Sequence, residues 1–349
     1  MREVRAKRQS IYGLCAAILL ALSPNLVRAQ TELVVAVPGG SYEEGWRKAV
    51  IAPLEAAHPD IKVRTVQGLT FQNLATLRAQ KDNVKVDVLL MDEVASSQAA
   101  SEGLCEPVTV QTLPHLADIY PEFRVPGDPY AKFGFSTAVI AYDPREVQLP
   151  PVSYNVLWDP QYKGRIAIPN LDTNTGVMFF LALNQLKGGT LDNPDPGLTA
   201  MKQLKPDVVA FVAQHAQMSQ LFTGGDVILA PWVSDRVTGL QKAGVPIAWA
   251  IPRDGGIITE GALVIAKGTQ HLREALLYVD AALSPEAQAA NAANTYISPV
   301  NAKTVLDPEA AKLVPNGPEV IKVVQRPDWR KVGQIIPKWI DRWNREVIQ

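Results

Sequence analysis

Leu33-Val-Val-Ala-Val-Pro-Gly-Gly-Ser-Tyr42 decides the fold. An apolar run of strand length meets a Pro-Gly-Gly break. A helical pattern follows over residues 42–58, with Trp46, Val50, Ile51 and Leu54 apolar and Pro53 interrupting it. The alternation continues with a strand at 61–66, a helix at 71–80 and a strand at 86–91 that ends in Asp92-Glu93. Strands alternating with helices predict an α/β fold built on a parallel sheet with covered faces. Such sheets take ligands at the C-terminal ends of their strands. Gly40, Ser41, Tyr42 and Asp92 are therefore the first candidates for ligand contact.

The stretch before this strand reads as a secretion signal. Arg2, Arg5, Lys7 and Arg8 precede an apolar run of 12 residues, 11–22, and Val27-Arg28-Ala29 supplies a small-residue cleavage site. A membrane span needs about 20 residues, so residues 1–29 are expected to be a cleaved signal peptide rather than an anchor. Removing them lowers Lys plus Arg from 34 to 29 and Asp plus Glu from 35 to 34, a net charge of −5. A mildly acidic chain does not suit nucleic acid or an anionic membrane. Only Cys105 is left after cleavage. No intrachain disulfide can then form, and stability has to come from apolar cores.

The second half is less regular. Residues 132–142 read as one long strand or two, and 165–169, 207–214, 227–230, 246–251 and 263–265 as shorter ones. Helices are expected at 176–186, 234–243 and 271–283. In the tail from Ala310, Trp329, Ile335, Ile336, Trp339, Ile340 and Trp343 form an apolar helical stripe. Few catalytic patterns occur. His58, His115, His215 and His271 share no ligand spacing, and no HExxH, CxxC, GxSxG or phosphate-loop motif is present. No cofactor, metal site or catalytic residue is expected. Nothing in the spacing of the carboxylates singles out an acid/base pair.

Several segments match one family in order. They are Gly39-Gly-Ser-Tyr42, Val86-Asp-Val-Leu-Leu-Met-Asp92 and Ser153-Tyr-Asn-Val-Leu-Trp-Asp-Pro-Gln-Tyr-Lys-Gly-Arg-Ile-Ala-Ile168, followed by Pro231-Trp-Val-Ser-Asp235. Gly261-Ala-Leu-Val-Ile-Ala-Lys-Gly268, Leu283-Ser-Pro-Glu-Ala-Gln288 and Tyr296-Ile-Ser-Pro-Val-Asn301 complete the set. On these segments the chain resembles the extracellular solute-binding proteins of bacterial ABC importers, in the branch of polyamine and ferric-iron binders. The resemblance implies a periplasmic protein with two α/β lobes that close on a small molecule and present it to an inner-membrane permease. It implies no enzymatic activity, and a monomer as the default. Lobe one is expected to hold residues 31–136 and 258–295, and lobe two residues 137–257 and 296–349.

The same resemblance extends the candidate site. Trp232 and Asp235 match the family's tryptophan and acid beside a bound amine, where an aromatic face and a carboxylate suit a cation. Ser136, Glu260 and Tyr296 lie near the expected crossings, and Thr173 and Thr175 belong to a polar loop before the 176–186 helix. One departure matters: Gly261 stands where polyamine binders usually carry an aspartate. Adjacent tyrosines of the iron type are absent as well. The expected solute is a small organic amine, polyamine-like or amino-acid-like, with Arg236 or Arg253 available for a carboxylate. Ferric iron, an organic anion or a sugar on the same scaffold is the alternative. A secreted enzyme using a carboxylate pair is a more distant one.

Overall fold

The computed structural model describes residues 30–349, so the expected signal peptide lies outside the described residues. Eight of the nine described strands form one path, in the order β2-β1-β3-β9-β4-β7-β5-β6, and β8 pairs with β4 off that path. They are β1 (Thr31–Val37), β2 (Ile61–Gln67), β3 (Val88–Asp92), β4 (Ala131–Tyr142), β5 (Ile166–Pro169), β6 (Val208–Val212), β7 (Leu229–Val233), β8 (Ala248–Ala250) and β9 (Ile258–Ile265). β1 runs parallel to β2 and β3, and β5 runs parallel to β6 and β7, as the strand–helix alternation requires.

β4 explains how one path serves two lobes. Its twelve residues are all buried, and at ~3.3 Å per residue they span about 40 Å. Its first half pairs antiparallel with β9, up to Thr137 opposite Ile258. Its second half pairs with β7, from Ala138 opposite Val233. The stretch that reads as one strand or two is one strand shared by two sheets. Each sheet has its own apolar core. Leu33, Val35, Trp46, Phe123, Phe133, Phe135 and Tyr278 belong to the first, and Tyr154, Phe179, Phe180, Trp339 and Trp343 to the second.

Three chain segments cross between the cores side by side. The Ala138 N–H donates to the Ile257 carbonyl at 2.7 Å, and the Ile258 N–H donates to the Gln325 carbonyl at 3.0 Å. The third crossing departs from the sequence reading, which gave lobe two everything from Tyr296 onward. Ser298 exchanges backbone hydrogen bonds with Phe135, and Val300, Ile321 and Val324 join the first core. Only from Trp329 does the tail join the second. The tail helix is also broken. Helices Pro308–Ala311, Pro318–Val323 and Trp329–Trp343 are separated at proline-containing stretches.

Candidate functional site

Strand ends from both sheets converge between the lobes. On the lobe-one side, β1 leads through Gly40 into the helix Ser41–Trp46. Gly40 has φ 68, the left-handed region that a side chain disfavours. Ser41 opens that helix; its side chain lies outside those described. Tyr42 follows, its ring stacked on Trp46 at 6.3 Å. Burial raises the Tyr42 phenol far above its ordinary range, and the carboxylates of Asp235 and Asp92 raise it further. The phenol therefore stays neutral and its O–H is a donor.

Asp92 ends β3 and holds the N-cap position of the helix Glu93–Ser101, but its side chain makes no cap bond. It accepts from Thr70 Oγ1 at 3.0 Å instead. Burial raises its pKa, and the Thr70 bond opposes that shift. Asp235 across the cleft raises it again and Arg236 lowers it.

On the lobe-two side, Asp235 lies in the first turn of the helix Ser234–Lys242. It accepts a short hydrogen bond from Ser136 Oγ on the shared strand, and Arg236 Nε stands 3.3 Å from its Oδ2. His215 stands beside them; desolvation first, then Arg236, lowers its pKa, while Asp235 pulls the other way. Tyr42, Asp92, Ser136 and Asp235 thus come together from four segments. The two carboxylates face one guanidinium, so the group carries an excess negative charge.

The polar loop takes a more structural part. Thr173 caps the helix Asn174–Leu186: its Oγ1 accepts from the Gly176 N–H at 2.9 Å and donates to the Asn170 carbonyl at 2.7 Å. A Cβ on Gly176 would lie 1.9 Å from the Asn170 carbonyl oxygen, so only glycine lets the loop fold back on the helix start. Thr175 is buried and borders a small cavity with His215 and Trp232. The cleft contact from this loop is Asn174, whose Nδ2 donates to Thr259 Oγ1 at 3.0 Å and ties lobe two to β9. Tyr296 holds a left-handed φ of 62 at the end of the helix Pro285–Thr295. Its ring borders Gly239 on the Ser234–Lys242 helix, where an added Cβ would meet it at 3.7 Å.

Two expected ligand residues are turned away. Trp232 is 1% exposed. Its ring stacks on Phe222 at 6.0 Å, and its Nε1–H donates to His215 Nδ1 at 2.9 Å, which leaves the His215 proton on Nε2. All five residues of β7 are buried, so the indole packs in the second core and meets only the small cavity beside Thr175. Glu260 is 2% exposed and lies 3.1 Å from Lys132 Nζ, which also stands 3.5 Å from Glu93. Strand alternation sends Thr259 toward Asn174 and Glu260 to the opposite face. Thr259 and Thr70 are the contacts the sequence reading missed, and the alternation along β9 was the signal for Thr259; Asn174 belongs to the polar loop before the 176–186 helix.

Beside this polar group lies a cavity of about 670 Å³ between the lobes, bordered by Asp92, Thr173 and Asn174 and by the helix Trp329–Trp343. Among the described residues, no group of three or more His, Cys, Asp or Glu is arranged to hold a metal ion. Cys105 is buried, and desolvation pushes its thiol up to about 12, so it is not a ready nucleophile.

A two-lobed fold of this kind, with polar strand ends facing one another across an inter-lobe cleft, is that of a binding protein. The model of the bacterial extracellular solute-binding proteins matches residues 49–317, and the chain belongs to that family. The spermidine/putrescine-binding periplasmic protein of Escherichia coli K12 is 26% identical over 254 residues, covering 68% of this chain and 70% of the relative. Among solved structures, an ABC transporter from Clostridium perfringens superposes with a TM-score of 0.77 at 22% identity, covering 90% of this chain and 99% of the other. The Atu4243-GABA receptor superposes at 0.75 and 23% identity, covering 90% and 96%. The chain is the solute-binding component of an ABC transporter and not an enzyme. No described helix is long and apolar enough to cross a membrane.

Proposed function

We propose that the captured solute is a small organic amine, held in the periplasm and delivered by a monomer to the membrane permease after cleavage near Ala29. The observation that carries this reading is the meeting of Asp92 and Asp235 from opposite lobes, with Arg236 as the counter-charge beside them. A desolvated carboxylate pair is stabilised by an ammonium, which donates charge-assisted hydrogen bonds to both. The neutral phenol of Tyr42 and the Ser136 hydroxyl complete a polar end around that group. A cation bound there also joins the lobes, which couples binding to closure. The E. coli relative and the GABA receptor are both named for ligands that carry amines. Glu260 is paired with Lys132 and Gly261 has no side chain, so β9 supplies no free carboxylate for a second ammonium.

Calorimetric titration of the chain from Gln30 with amines, amino acids, organic anions, sugars and ferric salts tests the reading. Binding confined to amines is expected. Asp92→Asn and Asp235→Asn should each weaken it by about 1–3 kcal/mol, roughly 5- to 150-fold. Unchanged affinity in both variants would place the ligand elsewhere.

A further inference from the structure

We infer that the solute is a monoamine with a bulky apolar body, and that this body occupies the cavity between the Glu93–Ser101 and Trp329–Trp343 helices. The inference rests on the amine reading above. It follows from how the cavity is built around the polar group.

Asp92 and Asn174 border the cavity, and much of the rest of its wall is aliphatic. Val94 comes from lobe one, Val177 from lobe two, and Val332, Ile336 and Ile340 from the tail helix. Ser97, Gln98, Ser101, Arg330 and Gln334 supply polar groups around this wall, and Asp172, an exposed residue, is the other carboxylate that borders it. A cleft of some hundreds of Å³ that is mostly apolar with a few convergent polar groups suits a ligand with one polar head and a large hydrophobic remainder. Charge points the same way. Asp92 and Asp235 against Arg236 leave one negative charge to balance, which one ammonium satisfies. The remaining carboxylate on the cavity's border, Asp172, is exposed, so an ammonium beside it would stay hydrated rather than be held in the cavity.

The tail helix is shaped to leave this room. Gly333 lies on the cavity wall, where a side chain of ordinary size would project toward helix 93–101. A Cβ there meets only Val94 Cγ2, at 3.6 Å. Pro337, one turn on, also borders the cavity. It has no N–H for the Gly333 carbonyl, which loosens the helix at the same point. Both residues are costly inside a helix, and here both border the ligand space.

The test is calorimetric titration of the chain from Gln30 with butylamine, hexylamine, phenethylamine, putrescine and spermidine. Each added methylene should tighten Kd by about fourfold, and phenethylamine should bind more tightly than putrescine. Gly333→Leu fills the cavity with a better helix former. It should weaken phenethylamine at least tenfold and flatten the gain per methylene across the amine series, with an unchanged circular dichroism spectrum. Should Gly333→Leu fail to fold, the amine series on the unmodified chain decides alone. Affinity that is flat with chain length, or tighter for putrescine and spermidine, overturns the inference and leaves the amine reading standing. Binding of anions, sugars or ferric salts with no amine bound at all overturns the amine reading, and the inference with it.

Discussion

Asp92 and Glu93 are neighbours in the chain and end in opposite kinds of site. Asp92 looks across the cleft to Asp235, with Arg236 as the nearby cation. Glu93 turns behind the sheet, where Tyr130 donates to it at 2.8 Å and Lys132 stands between it and Glu260. The same division recurs on β9, where Thr259 reaches Asn174 in lobe two and Glu260 reaches Lys132. Each site buries two carboxylates. Behind the sheet the lysine lies between them and belongs to the fold. In the cleft the acids come from different lobes with Arg236 as the nearby cation, and on the proposed reading a bound ammonium bridges them.

The sharpest way to break this contrast is to remove the lysine. In Lys132→Met, Glu93 and Glu260 face each other buried and unpaired. The variant should lose about 3–5 kcal/mol of stability by denaturant titration at pH 8, with amine affinity within about twofold. A loss below about 1 kcal/mol would show that the trio does not hold the fold.

Glu93 itself gives a pH signature. Burial, with Glu260 adding and Lys132 opposing, raises its pKa from 4.5 to about 7. The folded chain then binds a proton that the unfolded chain has released. Stability contributed by the protonated acid is full below the unfolded pKa and is lost as pH rises through about 7. Between pH 5 and 8 the protein should lose up to about 3 kcal/mol from this group. Glu93→Gln should remove that slope and leave the Asp92 site unaltered. Denaturant midpoints at the two pH values measure it, and an equal slope in both proteins would remove Glu93 as its source.

Much of this was legible in the sequence, for physical reasons that also set its limit. The 33–42 segment and the alternation after it announce a parallel α/β sheet, because strand and helix impose different periods on apolar residues. The length and apolar character of 132–142 were visible too. That one strand serves two sheets depends on its partners, β9 and β7, which come from distant parts of the chain. Asp92 and Asp235 each read as plausible cleft acids, but their meeting is a property of how the lobes stack. Glu260 could have been set apart from Thr259 by strand alternation alone. The resemblance placed Trp232 in the cleft because its motif fixes a position in the chain. Which way the ring turns depends on Phe222 and His215, and the motif does not contain them.

Trp232 therefore makes the finest test of the division between cleft and core. Trp232→Phe keeps an aromatic ring against Phe222 and deletes the Nε1–H that His215 accepts at 2.9 Å. A lost buried hydrogen bond costs about 1 kcal/mol, so a small fall in the denaturation midpoint is expected. Amine affinity should not change, because the ring packs in the second core. If affinity fell tenfold while stability held, the indole would be a wall of the ligand site, as the sequence motif alone suggests. The closed arrangement of β7 around Trp232 would then have to open when the amine enters.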